Sequence, residues 1–308
     1  MKVLVTGGAG FIGRWVVKEL LLREHEVVVY DNLSSGSLRN IDEFMGNQNF
    51  RFVRGDILDR KRLGSVYRDV DACVHLAAQI NVQRSIDWPE ETFRINVDGA
   101  FNVLEECRRK DARLGLVGTC LVYDTSDGRP ISEHHPLRPA SPYAASKLAG
   151  EELALSYHRA YGLPVVVTRP FNTYGPFQRS DSEGGVVSIF IERKLRGQPI
   201  LVYGDGHQTR DLLYVEDCAE FIVRSLMSKR AVGEVINAGT GRDVEINRLA
   251  LMICGGEEII KHVPHPHPQA EIRRLICDYS KAKKLLGWGP KTSLEEGIKK
   301  TEEWMAEK

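Results

Sequence analysis

Gly7, Gly10 and Gly13 follow directly on the apolar run Lys2 to Thr6 and open a stretch in which Ile12, Val16 and Leu20 recur every fourth residue. A strand that turns through glycines into an amphipathic helix puts free N–H groups and the positive end of the helix dipole at the turn, a ready seat for a pyrophosphate. The glycines permit the tight turn and the close approach of backbone to phosphate. A P-loop would close on Gly-Lys followed by Ser or Thr, whereas this run closes on Ile12-Gly13-Arg14. The feature therefore predicts a dinucleotide-binding start to the chain.

The alternation continues downstream. Val27 to Val29, Phe52-Val53, Cys73 to Leu76, Leu114 to Val117 and Val165 to Val167 are short apolar runs, separated by stretches of helical spacing such as 92–109 and 143–161. Strands covered on both faces need nearly continuous apolar runs, so the pattern predicts an α/β fold, a Rossmann-type doubly wound parallel sheet. After Arg169, punctuation by Pro170, Gly175, Pro176, Gly184, Gly185, Gly197, Pro199, Gly204 and Gly206 predicts a smaller C-terminal substrate-binding lobe. The expected division is 1–170 for the nucleotide-binding domain, with 211–240 returning to it, and 171–210 plus 241–308 for the lobe. The mixed charges of 293–306 read as a solvated terminal helix.

Composition removes several alternatives. A chain of 308 residues with 42% hydrophobic and 27% charged content is neither disordered nor fibrous. Basic and acidic residues balance at 42 each, so no net field draws nucleic acid or an anionic membrane. The six cysteines form no C-x-x-C pair and read as buried thiols. With no signal peptide and no apolar run of about 18 residues, no membrane partner is expected and the cytoplasm is the expected compartment. His262, His265 and His267 are separated by prolines and lack an acid or cysteine cluster, so no metal site is expected.

The second strand ends at Tyr30, and Asp31 follows, 24 residues beyond Gly7. A carboxylate there accepts from the ribose hydroxyls and repels a 2′-phosphate. No Arg or Lys follows in Asn32-Leu33-Ser34-Ser35, so the expected cofactor is NAD. Asp56 closes the third strand, where an adenine amino group would sit. Tyr143 and Lys147 share one helix face. A tyrosine ionising near 10 is a poor base at neutral pH, but an ammonium and a nicotinamide cation beside it would hold the phenolate. Such a phenolate takes a proton from an alcohol as hydride leaves the same carbon.

Together these segments resemble the extended short-chain dehydrogenase/reductase family, in its NAD-dependent nucleotide-sugar epimerase/dehydratase branch, from Thr6 to Gly13 through Tyr143 and Lys147 to Leu286-Gly287-Trp288. The resemblance implies a catalytic triad of Thr119, Tyr143 and Lys147, because Thr119 lies four residues before the tyrosine of Val122-Tyr123. It implies cofactor contacts from Gly7, Gly10, Phe11, Ile12, Gly13, Asp31, Asn32, Asp56, Ile57, Leu76, Ala77, Ala78, Asn96, Tyr143, Lys147 and Pro170. Asn172 and Arg210 would meet the diphosphate. Val186, Leu201 and Tyr203 would border sugar and base, and Leu275 would lie near the sugar's 2-substituent. The family's arginine-proline-glycine-acid stretch reads His265-Pro266-His267-Pro268-Gln269-Ala270-Glu271 here, which places Glu271 at the substrate and leaves Arg273 or Arg274 as the second phosphate contact. Helices 92–109 and 143–161 resemble the pair through which relatives form homodimers.

One departure narrows the chemistry. Relatives that eliminate water across carbons 5 and 6 carry Asp-Glu directly after the threonine, where this chain has Cys120 and Leu121. Neither serves as that acid–base pair. Asp124 also stands where relatives have glycine. The resemblance thus implies an NAD-dependent nucleotide-sugar 4-epimerase on a UDP-hexose or its N-acetyl counterpart, working by transient oxidation at carbon 4 with NAD retained. A one-way 4-ketoreductase and a non-enzymatic NAD-sensing protein on the same scaffold stay open. Asp31 argues against the first, and the three catalytic residues against the second.

Overall fold

The computed structural model describes residues 1–181, 185–256, 259–265, 268 and 271–307, so Gly184, Pro266, His267, Gln269 and Ala270 lie outside the described residues. The strands are β1 (Lys2–Thr6), β2 (Glu26–Asp31), β3 (Phe50–Arg54), β4 (Ala72–His75), β5 (Arg113–Val117), β6 (Val165–Pro170), β7 (Asn172–Tyr174), β8 (Ile200–Tyr203), β9 (Thr209–Tyr214), β10 (Val235–Ala238), β11 (Asp243–Glu245) and β12 (Ile260–Val263). Between them run α1 (Phe11–Leu22), α2 (Arg60–Val66), α3 (Val82–Asp87), α4 (Pro89–Phe93), α5 (Gly99–Lys110), α6 (Pro142–Tyr161), α7 (Val186–Leu195), α8 (Val215–Met227), α9 (Ile246–Cys254), α10 (Ser280–Leu286) and α11 (Leu294–Ala306).

Seven strands form one parallel sheet in the order β10-β6-β5-β4-β1-β2-β3. That is a doubly wound parallel sheet, as the sequence leads one to expect, with β10 added at the edge. Alternate residues of each strand serve opposite faces: Val3, Val5, Val27 and Val29 pack with α1 and α8, while Leu4, Val28, Cys73 and Leu114 pack under α2, α5 and α6. Thr6 is level with both Tyr30 and His75, so the carboxyl ends of three central strands open on one edge. Smaller sheets, β11-β9-β7 and β12-β8, carry the rest, with α7, α9 and α11 around Tyr174, Phe190, Ile200 and Leu249.

Local chemistry sets the ends of the long helix beside that edge. Ser141 accepts from the Ala144 amide at its start, Pro142 occupies the first turn, and Gly162 closes it at φ +70°. The single helix expected over 92–109 is instead α4, a π-helical turn at Arg94–Asp98, and α5. The wide turn brings Asn96 inward, where its Oδ1 accepts from the Gln79 amide at 2.8 Å and its Nδ2 donates to the Gln79 carbonyl at 3.0 Å and to Ser146 Oγ at 2.9 Å. A buried amide so fully bonded offsets the poorer helix geometry. Among the described residues no helix is long and apolar enough to cross a membrane.

Candidate active site

The glycine turn forms a cradle that side chains would block. Gly7 has φ +73° and a Cβ there would lie 2.7 Å from the Ala77 amide nitrogen, so this turn packs on the Leu76-Ala77 segment after β4. A Cβ at Gly13 would overlap the Gly7 carbonyl. Gly10 caps α1 without a side-chain bond and no acidic residue stands in the first turn, which leaves the helix N-terminus to an anionic ligand. Phe11 and Ile12 make up that turn. At the end of β2 the Asp31 carboxylate accepts from the Ala9 amide at 3.0 Å and the Leu33 amide at 2.8 Å. Burial pushes its pKa up against these two bonds. Asn32 donates to Asp56 at 3.0 Å, and Ile57 is buried beside it. The donor set, the acid and the glycines therefore fit a dinucleotide.

Across the sheet edge, Thr119, Tyr143 and Lys147 converge. Thr119 follows β5, its hydroxyl accepts from the Leu121 amide at 3.2 Å, and it lies near enough to the Tyr143 phenol to favour its ionisation. Tyr143 and Lys147 lie one turn apart in α6, and both are at least nine-tenths buried. Burial acts on both groups here. Burial pushes the phenol up to about 12, with Thr119 opposing, and burial brings Lys147 down to about 8, with Glu151 opposing. Desolvation disfavours both charged forms, an effect invisible in the i,i+4 spacing. His75, hydrogen-bonded through Nδ1 to Thr6 Oγ1 at 2.7 Å, is brought down to about 3 by burial and by the Lys147 charge, and is neutral. Beside Thr119, burial pushes the Cys120 thiol up to about 12, so the sulfur keeps its proton and is no base.

The lobe presents polar groups toward the same edge. The buried Asn172 Oδ1 has no hydrogen-bond partner among the described residues, an orphan suited to a ligand donor. Arg210 is ion-paired with Glu271, whose other oxygen lies 2.7 Å from His265 Nε2. Two expected substrate contacts thus hold each other. Arg273 and Arg274 are instead paired with Asp205 and Asp243, at 3.0 and 2.9 Å. Leu201 and Tyr203 lie on β8, Tyr203 is 48% exposed and edge-on to His265, and Val186 begins α7. Leu275 is fully buried against Cys120, Ile131 and Phe171. Pro170 closes β6, buried. Asp211, next to Arg210, accepts from Thr240, Gly241 and Cys277 at 2.7 to 3.0 Å and so ties three segments together.

The sequence reading missed a buried polar chain beneath the triad. Glu151 pairs with Arg169, Arg169 donates to the Tyr123 hydroxyl at 2.8 Å, and Tyr123 donates to Asn237 at 2.8 Å. Its one sequence signal was Glu151 itself, an acid one turn beyond Lys147 on the same face.

Residues 4–301 match the GDP-mannose 4,6 dehydratase family. A putative UDP-glucose 4-epimerase of Methanocaldococcus jannaschii is 38% identical, with 98% of each chain covered. A dTDP-glucose 4,6-dehydratase of Streptomyces niveus is 37% identical over 99% of this chain and 92% of its own. The crystal structure of Pal from Bacillus thuringiensis superposes with a TM-score of 0.99 at 54% identity, covering 100% of this chain and 99% of that one. UDP-glucose 4-epimerase of Thermotoga maritima with UDP-glucose gives 0.93 at 35% identity, covering 100% and 99%. The Thermus thermophilus UDP-glucose 4-epimerase complex with NAD gives 0.91 at 35% identity, covering 99% of each chain.

Proposed function

The chain belongs to the GDP-mannose 4,6-dehydratase family of extended short-chain dehydrogenases/reductases, and on that premise we propose that it is an NAD-dependent nucleotide-sugar 4-epimerase acting on a UDP-hexose or UDP-N-acetylhexosamine. The observation that carries this reading is the convergence of Thr119, Tyr143 and Lys147 beside a Cys120-Leu121 pair that offers no acid and base for elimination. Relatives with solved structures bind NAD and UDP-glucose, which supports the cofactor and substrate class.

The cradle Gly7 to Gly13, Asp31 and the Leu76-Ala77 segment would hold NAD, with its nicotinamide toward Tyr143 and Lys147. NAD, when bound there, would supply a reversible hydride acceptor for carbon 4. Tyr143 removes the 4-hydroxyl proton, and the Thr119 hydroxyl beside the phenol orients that oxygen. Lys147 contributes its ammonium, which offsets the cost of the buried phenolate. Arg210 exchanges Glu271 for the diphosphate, to which the Asn172 side-chain amide N–H also donates. The 4-keto sugar turns in the pocket, and Tyr143 returns the proton to its 4-oxygen, which yields the inverted alcohol.

Residues 1–170 with the returning 211–240 form the cofactor domain in this reading, and the remainder forms the substrate lobe. The exposed aromatics Trp88, Phe93, Phe101 and Tyr161, along α3 to α6, support a homodimer through these helices. The test is incubation of the purified protein with UDP-glucose and with UDP-N-acetylglucosamine, with no cofactor added, and chromatography of the sugar released by mild acid. The 4-epimer of either sugar is expected. Turnover that proceeds only with added NADH or NADPH on a 4-keto sugar would assign a ketoreductase instead.

A further inference from the structure

Glu151 is fully buried on the face of α6 that carries Tyr143 and Lys147, and the proton transfers above do not use it. Its Oε2 accepts from Arg169 Nε at 2.8 Å and Nη2 at 2.7 Å. Its Oε1 lies against Gly118, where any Cβ would overlap it, and has no hydrogen bond of ordinary geometry although the Thr119 amide faces the carboxylate. A glycine immediately before Thr119 thus provides the space that the carboxylate fills. On the far side, Arg169 is fixed by Tyr123, and Tyr123 by Asn237, whose amide donates to Glu133 at 2.7 Å. The carboxylate is therefore held by Arg169 on one side and lies, buried, one helical turn from the buried Lys147 on the other.

We propose that Glu151 is a positioning residue: its carboxylate is the buried counter-charge that keeps Lys147 an ammonium beside Tyr143, while Arg169 keeps Glu151 ionised. This rests on the epimerase reading above. The other groups facing the pair are His75 from β4, Thr119, Cys120 and Tyr123 from the segment after β5, Arg169 from β6, and Asn96 from the π-helical turn through Ser146. Of these, His75 is neutral and Cys120 protonated, so neither supplies a negative charge. Glu151 is the group that opposes the effect of burial on Lys147, and Arg169 and Lys147 in turn oppose the effect of burial on Glu151. Removing the carboxylate leaves Lys147 desolvated without a counter-charge, so it loses its proton at lower pH.

The experiment follows Lys147 directly. In protein labelled with 13C-lysine and loaded with NAD, the Lys147 Cε resonance is identified by its loss in Lys147→Met. Its titration midpoint is expected to fall by about one pH unit in Glu151→Gln. The alkaline limb of kcat moves down with it, while KM for the nucleotide sugar stays within about twofold. Since Glu151→Gln leaves Arg169 buried and unpaired, it can fail to fold. The double variant Glu151→Gln, Arg169→Gln removes both charges and is expected to shift the midpoint in the same direction but by less, because the lost arginine charge acts the opposite way. A folded variant of either kind with the Lys147 midpoint and the alkaline limb unmoved overturns the proposal. A midpoint that moves in a protein whose Tyr143→Phe variant keeps full activity upholds the counter-charge and sinks the epimerase reading instead.

Discussion

Two ion pairs of this protein are built for opposite purposes. Arg169 and Glu151 lie beneath the sheet edge with side chains 3% and 0% exposed, and further hydrogen bonds continue from the arginine into β10. Arg210 and Glu271 lie on the lobe at 14% and 19%, with His265 on the other carboxylate oxygen. The first pair cannot meet a ligand without unfolding its surroundings. The second holds a carboxylate in the grip that a diphosphate would take. In the proposed function the sheet edge would be preorganised before substrate arrives, and the lobe would exchange partners.

The largest effect expected is on the preorganised side. Tyr143→Phe keeps the ring and its packing but removes the proton carrier, so kcat should fall by about 10²- to 10⁴-fold with NAD binding retained; stopped assays with fluorescence titration of the cofactor measure both. A variant with near-normal kcat would remove Tyr143 from the chemistry.

Stability sharpens the contrast. Arg169→Ala leaves Glu151 buried without its partner and should cost about 3–5 kcal/mol in urea unfolding. Arg273→Ala breaks the pair with Asp205, whose side chains are 66% and 47% exposed, and should cost no more than about 1 kcal/mol. Equal costs would erase the distinction drawn between edge and lobe.

The acid response of the edge has a defined sign. The folded pKa of His75 lies near 3, below its ordinary 6.5, so between these values the unfolded chain binds more protons. The contribution is present above 6.5 and is lost as pH falls toward 3, at up to about 1.4 kcal/mol per pH unit. His75→Gln should flatten that limb in denaturant titrations across the window. An unchanged slope would mean that other groups dominate.

The smallest effects are expected in the lobe. Arg210→Gln should weaken UDP binding by about 10- to 100-fold in calorimetry. Glu271→Gln should tighten it by a few-fold, about 1 kcal/mol at most, by freeing Arg210. Weaker binding in Glu271→Gln would instead place the carboxylate on the ligand.

The same contrast explains what could be read from the sequence. The glycine turn, Asp31 and the Tyr143–Lys147 spacing are local patterns, and local geometry places them at the carboxyl edge of the sheet. The π-helical turn at Arg94–Asp98 left no mark in the apolar spacing of 92–109, because its cause is the bond from Asn96 to Gln79 and Ser146, as many as 50 residues away. The Glu151–Arg169–Tyr123–Asn237 chain joins four elements and exists only once β6 and β10 pair. The raised phenol of Tyr143 was hidden for a related reason: burial is a property of the assembled edge. Arg210 was legible as an arginine suited to phosphate, whereas its pairing with Glu271 depends on a contact 61 residues away.

The central claim is that hydride leaves carbon 4 of a nucleotide sugar and returns to the same carbon. Proton NMR of the purified protein with UDP-glucose and UDP-N-acetylglucosamine in deuterated water, following carbons 4, 5 and 6, tests it most directly. The account predicts a galacto-configured product that keeps its original hydrogen at carbon 4 and takes up no deuterium at carbons 5 and 6. Deuterium at carbon 5 or 6, or no conversion of either sugar by protein verified to hold NAD, would contradict it.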